Sequence, residues 1–352
     1  MAIISSNKEN QQIQKSSNDH RIVDPSTLSE DIVLHGKENI RPYLFEDFIG
    51  QSELKKVLNI SIQASLVRKE ALDHVLLSGP PGLGKTTMAS ILSNELKVTC
   101  HITSAPALER PRDIIGLLVN MKPHDVLFID ELHRLTRVSE ELLYPAMEDF
   151  RIDLTVGKGS TSRIRKIDIS PFTLVGATTR PASISAPLRD RFGISQRFDF
   201  YSEIDLANIV KRSARLLNFN LDEISSYEIA KRSRGTPRIA NRLVKRVRDY
   251  ATFKKRLNSV DQDLVDEALQ IHLVDKKGLD QLDRQFLNLI VRHYECGPVG
   301  LDTIAAALGE DSATIEFVVE PYLLQIGFIQ RTTRGRIVTN HGINHLNLIK
   351  KQ

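Results

Sequence analysis

From Ile40 to Phe200 short apolar runs alternate with stretches whose apolar residues recur at helical spacing. VLLSG at 75–79 precedes TTMASILSNEL, DVLFID occupies 125–130, and PFTLVGATT occupies 171–179. Apolar runs of this length suit strands buried on both faces, so the pattern predicts an α/β core with a parallel sheet and flanking helices. From about Ile204 to Val274 the segments IDLANIVKRSARLL, SSYEIAKRSR, PRIANRLVKRVRDYA and VDQDLVDEALQIH keep the helical period between polar or Gly/Pro breaks. They predict a small all-helical domain. Beyond the break at Lys276, Lys277 and Gly278, helical stretches near 279–295, 299–308 and 311–325 lead into GFIQRT and GRIVTN around a Thr-Arg-Gly turn. Three helices and a terminal β-hairpin describe a winged helix. The expected division is therefore a disordered polar tail at 1–35, an α/β domain at 36–200, a helical domain at 201–276 and a winged helix at 277–352.

Composition narrows the class. A chain of 352 residues with 41% hydrophobic content supports two to three domains, which excludes a lone binding module. Cys100 and Cys296 stand far apart, so neither a disulfide framework nor a Cys-rich zinc module has ligands, and a reducing, cytoplasmic setting is expected. No apolar run approaches the roughly 18 residues of a membrane span. The net charge of +4 is uneven: residues 1–200 hold 25 basic and 25 acidic groups, 201–276 hold 15 and 11, and 277–352 hold 8 and 8. The excess lies between Lys231 and Arg256, where eleven basic residues face one acid, Asp249, and mostly solvated side chains or a subunit contact are expected.

The chemistry concentrates in the first 200 residues. Gly79-Pro80-Pro81-Gly82-Leu83-Gly84-Lys85-Thr86-Thr87 follows a strand and opens a helix, the context that a phosphate loop requires. Its backbone N–H groups and the helix N-terminus cradle phosphates, Lys85 neutralises them, and Thr86 is placed to coordinate Mg²⁺. Forty-five residues beyond Lys85, a buried strand ends in Asp130 and Glu131. Alternation along an extended chain points them to different tasks: Asp130 to the Mg²⁺ shell, Glu131 to the attacking water. Gly176-Ala-Thr178-Thr179-Arg180 ends the next strand, where a hydroxyl can sense the γ-phosphate; Thr179 is the choice and Thr178 the reserve. Arg189-Asp190-Arg191 follows, with the pattern of an arginine finger offered to a neighbouring subunit. In the helical domain Pro237 and Arg238 open a helix, and Arg238 can swing onto phosphates from a lid.

In that order, the phosphate loop, DELH, GATTR, RDRFG and GTPR resemble an AAA+ ATPase. Together with RPYLFEDFIGQ, MEDFRID and GFIQRTTRGR they resemble more closely the RuvB family of bacterial Holliday-junction branch-migration motors, over Ile40 to Thr339. The resemblance implies a homohexameric ring with ATP at its subunit interfaces and double-stranded DNA in the pore. It also implies a RuvA-like partner at the four-way junction and a RuvC-like resolvase in the full complex, serving recombination and repair. Ile40 and Arg41 would touch the adenine side; Gly82, Gly84, Lys85, Thr86 and Thr87 the phosphates; Glu148, Asp149 and Phe150 would border the pocket. Arg191 would be the trans finger, with Tyr201 and Arg238 closing over the nucleotide. Residues 151–171 alternate as a hairpin around Gly157, Lys158 and Gly159, the place where this family docks RuvA.

Arg331, Arg334 and Arg336 fall within six residues at the wing, where guanidinium groups can bind DNA phosphates without reading bases; family position favours Arg331 and Arg336. The helix near 311–325 carries Asp311, Glu316 and Glu320 and no base, so it makes a poor major-groove reader. The wing reads RTTRGR where the family has proline after the first Thr, a change expected to loosen the turn. Two alternatives stay open: a clamp-loader or replication-initiator ATPase, and a DNA-binding regulator using ATP only as a switch. Glu131 with Arg191 argues against the last, because a switch needs neither a water activator nor a trans arginine.

Overall fold

The computed structural model describes residues 40–156 and 163–349. The polar tail at 1–35 and the hairpin tip at Gly157, Lys158 and Gly159 lie outside the described residues. Five strands form a parallel sheet: β1 Val75–Ser78, β2 Cys100–Ser104, β3 Val126–Asp130, β6 Thr173–Thr178 and β7 Ile194–Arg197, in the order β2-β3-β6-β1-β7. Between β3 and β6 the chain makes a separate antiparallel hairpin, β4 Arg151–Val156 with β5 Arg163–Asp168.

Period-two alternation divides the sheet's side chains between two apolar layers. Val75, Leu77, Val126, Phe128, Val175 and Ala177 face the helices Ser52–Arg68 and Lys85–Leu96. Leu76, Leu127, Ile129 and Leu174 face the helices Pro111–Val119 and Arg137–Glu148. The first layer continues into the helical domain through Leu206, Val210, Ile239, Leu243 and Val247, so sheet and lid share one core. The carboxyl edge of the sheet, at Ser78, Asp130 and Thr178, therefore opens toward the lid, where ligands of open α/β sheets bind.

The lid helices are Glu203–Leu216, Glu223–Lys231, Pro237–Phe253 and Gln262–Ile271. Ser202, Asp222 and Asp261 cap three of them by accepting backbone N–H bonds, and Pro237 starts the other. The basic run departs from the expectation of solvated side chains. Arg232, Arg234 and Arg242 are buried; Arg232 pairs with Asp266 and Glu228, and Arg234 with Asp283. The break at 276–278 is likewise pinned. Arg234 Nε donates to the Gly278 carbonyl (2.8 Å), and Asp283 belongs to the Asp280/Asp283 capping box of the next helix, Gln281–His293.

The C-terminal region holds its own core, with Phe286, Leu287, Ile290, Ile304, Ile315 and Leu323. Two features differ from the sequence expectation. The third helical stretch is broken into Ser312–Thr314, a π-turn at Ile315–Val319 and Glu320–Gln325, because Pro321 has no N–H to give the ladder. After the wing, β8 Ile329–Thr332 and β9 Gly335–Val338, a further helix at Asn340–Ile349 packs on the domain, with Leu346 in the core. Its polar, Gly342-containing sequence hid the period. The turn expected to be loose is held by Thr332, whose hydroxyl donates to the Gly335 carbonyl (2.8 Å) and accepts from Arg334 N (3.3 Å).

Candidate active site

The phosphate loop leaves β1 and closes at Gly84, whose φ of 102° starts the helix Lys85–Leu96. Gly82 is at φ 81°, and a Cβ there would meet Arg238 Cβ at 3.1 Å, so the loop tip needs glycine for both conformation and space. Arg238 N donates to the Gly82 carbonyl (3.2 Å), and Tyr201 Oη donates to the Leu83 carbonyl (3.2 Å). The lid thus rests on the loop through the two residues expected to close over a nucleotide. Lys85 Nζ donates to the carbonyls of Gly79 (2.7 Å) and Pro80 (2.8 Å), and burial pulls its pKa down to about 8. Burial pushes the Tyr201 phenol well above its ordinary value.

A cleft of about 860 Å³ surrounds this loop, a size that suits a nucleoside triphosphate. Ile40, Arg41, Gly82, Gly84, Lys85, Thr86, Thr87, Asp130, Glu131, Thr179, Tyr201 and Arg238 all line it. Asp130 ends β3, but Glu131 is not the next residue of an extended strand: it turns into the left-handed region at φ 51°. The two carboxylates are separated by this turn rather than by strand alternation. Thr179 Oγ1 lies 3.4 Å from Glu131 Oε2, within the cleft, whereas Thr178 is fully buried and bonded to His133 Nδ1 (3.0 Å). The reserve residue does not line the cleft.

Three residues expected to border the pocket are not brought to the cleft, and Arg191, expected to serve a neighbour, lies outside it too. Glu148 ends the helix on the opposite face of the sheet from Lys85, Asp149 and Phe150 follow it, none of the three lines the cleft, and Glu148 forms an outer patch with Arg191. There Arg191 Nη2 pairs with Glu148 Oε1 at 3.0 Å, its guanidinium covers the Tyr144 ring at 4.4 Å, and Nη1 donates to the Pro187 carbonyl (2.5 Å). Within one chain, then, this patch cannot border the nucleotide as expected, because the sheet lies between.

The wing also differs from expectation. Arg331 and Arg336 are paired across β8 and β9, and both bind the carboxylate of Glu320, which is fully buried. Arg331 Nε donates to Oε2 and Arg336 Nε to Oε1, each at 2.7 Å. Arg336 is only 16% exposed and Arg331 45%, while Arg334 is exposed at the turn. Two acids of the neighbouring helical stretch, Glu320 and Glu316 (3.8 Å from Arg331 Nη1), offset charge on the three arginines counted from sequence.

Comparison with known proteins agrees with this arrangement. The model of the Holliday junction DNA helicase RuvB P-loop domain matches residues 40–198, that of the RuvB AAA lid domain 201–275, and that of the RuvB C-terminal winged helix domain 276–347. The chain belongs to the RuvB family. A Holliday junction branch migration complex subunit RuvB of Prochlorococcus marinus (strain NATL2A) is 59% identical over 345 residues, covering 98% of this chain and 97% of that protein. The subunit of the same name from Synechococcus sp. (strain CC9311) is 60% identical over 349 residues, again covering 98% and 97%. The solved RuvB Holliday junction branch migration motor of Thermotoga maritima aligns with a TM-score of 0.78 at 48% identity, covering 88% of this chain and 98% of that one. A point mutant of it reaches 0.80.

P-loop ATPases of the RuvB family use ATP with Mg²⁺, and the cleft fits both. Lys85 is a buried cation held by two backbone carbonyls, a charge that phosphate would compensate, and Thr86 and Asp130 supply the hard oxygen donors that Mg²⁺ prefers. Sequence reasoning missed part of the wall. Phe317, Val318 and Pro321 of the winged helix reach the cleft, and the Arg180 guanidinium stacks 4.2 Å from the Phe317 ring centre. No motif marks them, since they come from a different domain.

Proposed function

We propose that the chain is the ATP-hydrolysing motor subunit of a Holliday-junction branch-migration complex, working in the cytoplasm as a homohexameric ring on double-stranded DNA. The observation that carries this reading is the separation of Arg191 from the cleft that holds Lys85, Asp130, Glu131 and Thr179. A cis site that is complete except for its arginine, with that arginine on an outer face, is the geometry of a site finished by the next subunit.

Lys85 and the loop N–H groups bind the β- and γ-phosphates, and Ile40 and Arg41 border the base. Mg²⁺, when held by Thr86 and Asp130, neutralises phosphate charge. Glu131 accepts a proton from the attacking water, Thr179 orients the γ-phosphate side, and the neighbour's Arg191 stabilises charge that develops on transfer. On that neighbour, Glu148, Asp149 and Phe150 flank the finger. Arg238 and Tyr201, bonded to the loop itself, pass its movement to the lid. Duplex DNA contacts the wing through Arg331, Arg334 and Arg336. The β4–β5 hairpin meets a RuvA-like junction-binding protein, and a RuvC-like resolvase joins the full complex. Among the described residues no helix is long and apolar enough to cross a membrane.

The test is dissociation of a synthetic four-way junction by the protein with ATP and Mg²⁺, with and without the RuvA-type partner, beside a Lys85→Ala control. Partner-stimulated dissociation that vanishes in the control is the expected result. ATP hydrolysis with no dissociation in either arm would reject the branch-migration reading.

A further inference from the structure

The carboxylate assigned to the water is itself held by side chains that the nucleotide motifs do not name. The short 3₁₀ turn Leu132–Arg134 follows Glu131 directly and packs on β6; a Cβ on Gly176 of that strand would lie 2.6 Å from Leu132 Cδ2. The turn brings His133 between two partners. Its Nδ1 lies 3.0 Å from Thr178 Oγ1 and its Nε2 3.3 Å from Glu131 Oε2. Thr178 is fully buried and the imidazole 9% exposed, while Glu131, at 37% exposure, stays open to the cleft.

The donors available favour one direction of hydrogen bonding. Arg180 N–H donates to Thr178 Oγ1 (2.9 Å), and the Thr178 hydroxyl keeps one proton to give, with His133 Nδ1 in reach of it at 3.0 Å. An imidazole that accepts at Nδ1 carries its proton on Nε2, where a carboxylate, which can only accept, needs a donor. Burial holds the imidazole's pKa below its ordinary value and favours this neutral form. Thr179 Oγ1 donates to the same Glu131 oxygen at 3.4 Å. Both side chains converge on Oε2, Thr179 as a hydrogen-bond donor and His133 through a 3.3 Å contact of Nε2, and Oε1 meets neither.

We propose that His133, with its tautomer set by Thr178, is a positioning residue that fixes Glu131 through Oε2 and so presents Oε1 to the attacking water. The proposal rests on the reading of Glu131 as the water-activating base. It uses Thr178, the residue set aside as sensor, in a different role.

The test is steady-state ATP hydrolysis by the full chain with Mg²⁺ and duplex DNA, beside equilibrium ATP binding. His133→Leu should lower kcat about tenfold, a modest part of what a positioned general base contributes, with KM and ATP affinity within about twofold. His133→Gln, which restores an N–H donor near the Nε2 position, should recover most of the rate. Thr178→Val should lower kcat by a smaller factor and add nothing in a His133→Leu background, because both act through one chain of bonds. In Glu131→Gln the residual rate should not respond to His133→Leu.

An unchanged kcat in His133→Leu, a glutamine variant no better than leucine, a matching loss of ATP affinity, or a further loss in Glu131→Gln would each overturn the proposal. A Glu131→Gln protein hydrolysing ATP at the unaltered rate would instead remove the reading on which it rests.

Discussion

The nucleotide cleft and the wing both set cations beside carboxylates, yet they are wired in opposite ways. In the cleft the phosphate-loop cation, Lys85, is bonded to two carbonyls, and the acids Asp130 and Glu131 line the same cleft. At the wing the acid is spent on the cations, since Glu320 takes bonds from both Arg331 and Arg336. A buried carboxylate shared by two guanidiniums, with Glu316 Oε1 a further 3.8 Å from Arg331 Nη1, sets two acids against two bases in a rigid frame. The contrast is one of pairing: the cleft cation is held by neutral carbonyls with its acids apart from it, and the wing cations are bonded directly to a buried carboxylate.

The largest effect that can break this contrast is at the finger. Arg191→Ala should lower kcat by about 10³ while leaving ATP binding within about twofold, measured by steady-state hydrolysis beside equilibrium binding. Next is the wing frame. Glu320→Gln leaves two arginines paired in register with no carboxylate between them, and should destabilise the winged helix by about 2 to 3 kcal/mol, the low end for a broken buried pair because Arg331 is half exposed. Denaturant unfolding measures it, and an unchanged midpoint would mean that the cluster is merely solvated.

Smaller is the DNA contact itself. Arg334→Ala and Arg331→Ala should each weaken duplex binding equally across sequences and reduce the salt slope of log K by about one. A sequence-dependent loss would contradict a wing that only grips. The smallest effect concerns pH. His74 is held below its ordinary pKa by burial, donating from Nε2 to the Met147 carbonyl (3.0 Å) and accepting Leu174 N–H at Nδ1 (2.9 Å). Below pH 6.5 the unfolded chain takes up a proton that the folded chain refuses, so stability should fall as pH drops from about 7 toward about 5 and level off below the folded pKa. His133 and His272 shift in the same direction, so His74→Gln should flatten the dependence without abolishing it. Thermal unfolding over that range measures the difference.

The cleft was legible because its parts lie on continuous motifs whose backbone geometry their own residues dictate. GPPGLGKTT needs glycine at 82 and 84 whatever surrounds it, and an apolar run ending in Asp130 marks a strand edge without further context. The wing was legible in outline only. Glu320 sits 11 and 16 residues from the arginines that it binds, on a helix whose acids mark it, in the sequence, only as a non-reader of DNA. Counting charge along the chain cannot reveal such a pairing across elements. The same limit applies to Arg232 and Arg234, whose partners Asp266 and Asp283 lie far along the chain, and to Phe317, which reaches the cleft from another domain. Glu131 taught a local lesson. Alternation along an extended strand does not separate it from Asp130, since a left-handed turn rather than the strand pleat sets its direction.

The central claim, that each site is finished by a neighbour, is tested most directly by assembling Glu131→Gln and Arg191→Ala chains together. Each variant alone should be nearly inactive. In a random one-to-one ring roughly a quarter of the interfaces join an intact Glu131 cleft to an intact Arg191 finger, as heterologous ring contacts allow. Hydrolysis should therefore recover well above the sum of the two separate preparations, toward roughly a quarter of the unaltered rate. A mixture no faster than that sum, or an Arg191→Ala protein that hydrolyses ATP normally by itself, would contradict catalysis across the subunit interface.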